Sequence, residues 1–202
     1  AGDKWAAMRA DRIGDEFGFQ YIIKAGGNEY QRISEMASTK ASFILSLNFP
    51  QAMDVEDPND ARFVALADMK HWEMAPSNPA AFEKAGIPFC LTAADLRDPK
   101  SFYANLRKAM DHGLTEGRAL EALTQTPARI LGIYDKLGSL ETGKMANFFI
   151  SSGPVFQEKT MILQNWVQGI KYGIKEENWS DVKGTYNLTV QSAQGVSTYT
   201  LD

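Results

Sequence analysis

Residues 113–153 read GLTEGRALEALTQTPARILGIYDKLGSLETGKMANFFISSG, and the fold turns on this stretch. Its first half is helical by pattern. Thr115 stands where a hydroxyl can accept from first-turn amides, and the helix is expected over Thr115–Thr124. Thr126-Pro127 opens a second helix, Pro127–Leu131, with Thr126 as its cap. Gly113 and Gly132 end helices. The character then changes near Gly138. Leu140–Gly143 reads as a turn and Met145–Ser151 (MANFFIS) as a strand. Gly138 and Gly143 supply the freedom for tight turns as the chain passes from a helical body into a β-rich tail.

Upstream, short apolar runs alternate with helical patterns. Phe19–Lys24 (FQYIIK), Ala41–Leu47 (ASFILSL) and Ile87–Thr92 (IPFCLT) read as buried strands. Helices are expected over Lys4–Phe17 (Trp5, Met8, Ile13 and Phe17 on one face), Glu29–Ser38, Ala61–Glu73, Pro79–Lys84 and Pro99–His112, with Asn78 as a cap and a polar loop over Asn48–Asp60. Strands apolar on both faces and separated by helices predict a parallel sheet covered on both sides. Downstream, Met161–Val167 and Ile170–Lys175 pair around Gln168-Gly169, a hairpin signal. Glu176–Lys183 is polar and reads as a linker. Gly184–Val190 and Val196–Leu201 alternate around Gln191–Gly195, a second hairpin.

The chain has 202 residues, 44% hydrophobic and 23% charged, which is an ordinary globular mix. Its net charge of −4 gives no bulk attraction for nucleic acid or anionic lipid. Nothing approaches the ~18 consecutive apolar residues of a membrane span. The single Cys90 cannot form an internal disulfide. The chain opens Ala-Gly-Asp-Lys, as expected of a processed product or a piece of something longer.

Few residues announce chemistry. His71 and His112 do not stand at metal-ligand spacing, and each has a packing or helix-end reading. Cys90 lies inside an apolar strand, where it acts as a small hydrophobe. Lys24-Ala25-Gly26-Gly27-Asn28 follows a strand and opens a helix, so its amides could hold an anion, although it lacks the spacing of a dinucleotide or P-loop motif. Asp95 and Asp98 follow the strand Ile87–Thr92. Carboxylates just past a barrel strand's carboxyl end stand at the active face, and Asp95 is the nearer. The alternative for each is a loop-forming or capping Asp. Trp5, Trp72, Trp166 and Trp179 form no stripe, and packing accounts for them.

Gly113–Gly153 resembles the C-terminal hallmark of the amidohydrolase superfamily, metal-dependent hydrolases that include imidazolonepropionases and dihydroorotases. Ala119, Leu120, Ala122, Leu123, Thr124, Thr126, Pro127, Ala128, Leu131 and Gly132 match the helix pair that ends the family's barrel. Leu137, Gly138, Ser139, Leu140, Gly143, Lys144, Ala146, Asn147 and Phe148 match the entry into its β-sandwich. Asn165-Trp166-Val167-Gln168-Gly169 resembles a later hairpin. The likeness runs more loosely back to the N-terminus and stops near Lys175. It is specific for the superfamily and poor for substrate.

The resemblance implies an eight-stranded barrel of which Phe19–Lys24, Ala41–Leu47 and Ile87–Thr92 are strands six to eight. Such a barrel takes about 250 residues by itself, so the chain is expected to be the C-terminal part of a longer protein. The family's metal ligands come from a His-x-His on the first strand, a Lys or other bridging ligand on the fourth, His on the fifth and sixth, and Asp on the eighth. The sixth-strand position falls near Lys24-Ala25-Gly26, where no His stands. The eighth-strand Asp is Asp95, or Ala94 takes its place with Asp95 shifted by one.

The expected fold is therefore α/β, a partial (β/α) TIM-type barrel of the last three β/α units over residues 1–136. A C-terminal β-sandwich portion follows over 137–176, then a linker and β-hairpin over 177–202. The expected function is the C-terminal part of a hydrolase acting on C–N bonds of amides or cyclic amides, with Asp95 as general base and metal ligand. The alternatives are a catalytically degenerate scaffold and an anion-binding domain built on Gly26 and Gly27. The parent is expected to take a small-molecule substrate and a divalent metal, zinc. This piece alone is expected to hold no tightly bound metal and, with bare sheet edges, to form a homo-oligomer.

Overall fold

The computed structural model describes residues 2–174, 184–192 and 195–201. The predicted linker over 176–183, with Trp179, and the tip of the last hairpin lie outside these residues. The body is a parallel sheet of β1 (Ile22–Lys24), β2 (Ser42–Ser46) and β3 (Phe89–Thr92), lying in that order. Ile23 pairs with Phe43, and Phe43 with Phe89. Crossover helices join the strands, so all three carboxyl ends face one way. The connections contain α2 (Ile33–Ser38) after β1, and α3 (Pro58–Ala61), α4 (Leu66–Met74) and α5 (Asn78–Lys84) between β2 and β3. Past β3 come α6 (Phe102–Asp111), α7 (Glu116–Leu123) and α8 (Gln125–Ile130). α1 (Lys4–Phe17) precedes the sheet.

The core lies between this sheet and its helices. Phe43, Leu45 and Phe89 from the strands meet Met36, Phe82 and Leu106 from the helices, all essentially inaccessible to solvent. Phe82 stands edge-on to both Phe43 and Phe89, with centroids 5.0 and 6.0 Å away. Cys90 is buried in β3, and that burial pushes its thiol above its ordinary value.

Several local expectations change for identifiable reasons. Phe19–Lys24 is not a buried six-residue strand. Gly18 is left-handed and the Phe19 amide donates to the Gly14 carbonyl, so the helix exit consumes the first part of the run. Of this run Ile22–Lys24 pairs, and among the described residues β1 has one neighbour, so Phe19, Tyr21 and Ile22 are exposed. α1 buries Ala7 and Gly14 rather than the Trp5–Ile13–Phe17 face, which is exposed. A Cβ at Gly14 would meet the Phe19 carbonyl at 2.4 Å, so small residues let the chain pack closely here. The Glu29–Ser38 helix begins as a 3-10 turn over Glu29–Arg32. The predicted helix Ala61–Glu73 forms only from Leu66, after the separate short turn of α3, which Asp57 caps.

Asn78 does not cap α5, because a 3-10 turn over Ala75–Ser77 runs straight into the helix and frees its side chain. Thr126 likewise lies inside α8 rather than capping it, and its Oγ1 accepts from Arg118 at 3.4 Å. Thr115 does cap α7, accepting from the Arg118 amide.

Beyond Gly138 and Gly143, both at positive φ, the chain forms an antiparallel sheet of β4 (Phe148–Ser151), β5 (Ile162–Val167) and β6 (Ile170–Gly173). Gln168 and Gly169 both have positive φ, as a two-residue hairpin of the twist-matched type requires. Trp166 stacks on Phe148 across β4 and β5. β7 (Tyr186–Ser192) and β8 (Gly195–Leu201) make a separate antiparallel pair.

Candidate active site at the carboxyl rim of the parallel sheet

β1 ends on Lys24 and β3 on Thr92, with β2 between them. The Lys24 ammonium reaches across the end of β2 to Asp95, 2.8 Å from Oδ1 and 2.7 Å from Oδ2. Both groups are about half exposed, so the pair adds little stability, on the order of 0.2–1 kcal/mol. Its value lies in placement.

The loop after β3 is pinned so that the carboxylate faces the lysine. The Ala94 amide donates to Thr92 Oγ1 at 3.1 Å, and the Ala94 carbonyl accepts from Ser46 Oγ at 2.6 Å. Ser46 Oγ in turn accepts from the Asn48 amide. Asp95 itself sits at φ +71, in the left-handed region that Asp tolerates better than most non-glycine residues. The chain thus brings Lys24, Ser46, Thr92 and Asp95 from three strands to one rim.

The other sequence candidates resolve differently. Asp98 is a capping residue, accepting from the Lys100 amide at 2.9 Å. His71 Nδ1 lies 3.0 Å from the Tyr30 hydroxyl with the rings stacked, and His112 Nδ1 lies 2.7 Å from the Lys108 carbonyl at its own helix end. The Gly26-Gly27 amides do bind an anion, but it is the chain's own. Glu29, fully buried, accepts from Gly26 at 2.6 Å and Gly27 at 3.0 Å, and from Asn78 Nδ2 at 3.2 Å. A slot filled by an internal carboxylate leaves no place for a phosphate, and the anion-binding-domain reading falls.

Within this chain the rim does not make up a divalent-metal site. No three His, Cys, Asp or Glu side chains converge among the described residues. Both Asp95 oxygens are held by Lys24, and the Ser46 and Thr92 hydroxyls are taken by backbone groups. Ser46 was not legible as a site residue, Lys24 was read only within the anion loop and at the sixth-strand position, and Asn78 only as a cap. The one available signal was that Lys24 closes an apolar strand at the face where barrel chemistry gathers.

The sequence profile of the amidohydrolase family matches residues 72–187, more than half of the chain. The chain belongs to the amidohydrolase family. It is 34% identical over 76 residues to the imidazolonepropionase of Aeromonas hydrophila subsp. hydrophila, a match covering 35% of this chain and 18% of that protein. The crystal structure of an amidohydrolase from Thermotoga maritima superposes with a TM-score of 0.67 at 26% identity, covering 85% of this chain and 41% of that one. A prolidase complexed with N-methylphosphonate-L-proline shares the fold, with a TM-score of 0.55 at 15% identity over 82% of this chain and 43% of that one. The chain thus spans less than half the length of these relatives. They make its fold a TIM-barrel-related α/β fold. Members of the family are generally metal-dependent hydrolases. Among the described residues no helix is long and apolar enough to cross a membrane.

Proposed function

We propose that this chain is the C-terminal part of a hydrolase that acts on C–N bonds of amides or cyclic amides in a small-molecule substrate. Residues 1–136 would carry the last three β/α units of its barrel, 137–176 a β-sandwich portion, and 177–202 a linker and hairpin. The observation that carries the reading is the Asp95 carboxylate, fixed at the carboxyl rim just beyond β3. In this role Asp95 takes a proton from the attacking water and returns it to the leaving nitrogen, while Lys24 orients the carboxylate. The zinc expected of the parent would draw its other ligands from outside this chain, and Asp95 would join them only by giving up its ion pair with Lys24.

The test is made on the full-length parent. Near-stoichiometric zinc, with hydrolysis lowered by about 10²–10⁴-fold in Asp95→Asn, supports the reading. Absence of metal together with an unaffected Asp95→Asn variant would sink it. That second outcome is what a catalytically degenerate scaffold predicts, a reading favoured by the Lys24–Asp95 ion pair.

The piece by itself is proposed to self-associate. Trp5, Ile13, Phe17, Phe19 and Ile22 lie exposed on and beside the edge strand β1, which has no outer partner among the described residues. Bare edges flanked by apolar surface recruit partners. Light scattering at micromolar concentration should report a dimer or larger, and a monomer would refute this.

A further inference from the structure

We propose that Lys24 is a built-in competitor for Asp95: its ammonium keeps the carboxylate from ligating a divalent cation and so sets the metal affinity of this rim. The proposal rests on reading the rim as the functional site and deepens it.

Three observations carry it. First, Lys24 engages both carboxylate oxygens, at 2.8 and 2.7 Å, so a cation approaching Asp95 from that side meets an ammonium rather than water. Second, the backbone that carries the carboxylate is pinned. Ala94, the residue before it, is tied at its amide to Thr92 and at its carbonyl to Ser46, and Asp95 holds φ +71. Third, the pair spans the sheet, joining the end of β1 to the loop beyond β3 over the end of β2.

A divalent ion seated at the ordinary ~2.0–2.2 Å from a carboxylate oxygen would stand within about 5 Å of that ammonium. Like charges so close oppose binding directly. The neighbouring hydroxyls do not compensate, because Ser46 and Thr92 already serve the backbone. The lysine is therefore a specificity-determining residue. With it in place, this part of the protein favours a neutral ammonium–carboxylate pair over a metal carboxylate.

The experiment is zinc titration by calorimetry on the 202-residue chain and its variants. Lys24→Met removes the competing charge and should raise Asp95-dependent zinc affinity about tenfold. Lys24→His also supplies a nitrogen ligand, and its gain should be larger, about a hundredfold. Each gain should vanish when Asp95→Asn is added, which separates this site from zinc held by His71 or His112. Both side chains are half exposed, so unchanged melting temperatures serve as the folding control.

Wild-type chain that binds zinc near-stoichiometrically through Asp95 would overturn the proposal. So would Lys24 variants that gain nothing, or gains that survive Asp95→Asn. The reading of the rim as catalytic fails separately, through an unaffected Asp95→Asn parent, so the two failures are distinguishable.

Discussion

Phe82→Ala is expected to lower the unfolding free energy of this chain by about 3–5 kcal/mol. The ring is fully buried on α5 and stands edge-on to both Phe43 of β2 and Phe89 of β3. Truncation removes its transfer free energy, leaves a cavity, and ends two aromatic contacts worth roughly 0.5–1.5 kcal/mol each beyond their area. These contributions overlap, so they do not simply add. Small domains hold only about 5–15 kcal/mol in total. The variant should therefore unfold at much lower urea or be largely unfolded at 37 °C by circular dichroism. Phe82→Leu keeps most of the volume and should lose less, about 1–1.5 kcal/mol. Phe63→Ala supplies the contrast, because Phe63 is 75% exposed, and its change should stay within about 0.5 kcal/mol. A loss at Phe82 below about 1 kcal/mol would mean that the sheet–helix core is not packed as described.

That contrast between Phe82 and Phe63 also marks what the amino-acid pattern could reveal. Strand existence, order of elements and parallel direction followed from apolar runs set between helices, because burial on both faces leaves that trace. The hairpin at Gln168-Gly169 and the turns at Gly138 and Gly143 followed from residues that accept positive φ. Periodicity misled at α1. Its large apolar residues mark a helix, but the buried side is lined by Ala7 and Gly14, whose small size permits close approach. Apolar identity does not say which face finds a neighbour. The same limit applied to Phe19–Lys24, where the strand's edge position, a tertiary fact, left every residue of the run but Ile23 in solvent.

The rim shows the complementary limit. Asp95 was legible because its distance past a strand end is a local property. Its partner Lys24 was not, because 71 positions separate them and only the parallel stacking of β1, β2 and β3 brings them together. Family resemblance pointed at the same two positions from the other side, by the histidine that does not occur near Lys24. A lysine there is chemically consequential, since an ammonium pairs with a carboxylate but, unlike a neutral imidazole, brings no metal ligand of its own.

Glu29 is the second position where a single change should have a large effect. Its carboxylate is fully buried and is held by donors alone, the Gly26 and Gly27 amides and the Asn78 side-chain amide. Asn78 Oδ1 also accepts from the Tyr30 amide at 2.8 Å, so one asparagine ties the loop after β1 to the start of α5. Successive amides make a concavity suited to an anion. Glu29→Ala would leave these donors without an acceptor. Each buried unpaired donor costs about 1–3 kcal/mol, less where water enters the space, so a net loss of about 3–5 kcal/mol is expected. Glu29→Gln separates shape from chemistry. It is nearly isosteric, but its amide nitrogen cannot accept, so one donor faces another and about 1–3 kcal/mol should be lost. Asn78→Asp is expected to be at least as harmful as Glu29→Gln, because it sets a second carboxylate against the first. Chemical denaturation gives the losses, and hydrogen exchange at the Gly26 and Gly27 amides locates them. Those two amides should be protected in the wild type and exchange much faster in Glu29→Gln. Equal protection in both would show that the carboxylate does not hold the loop.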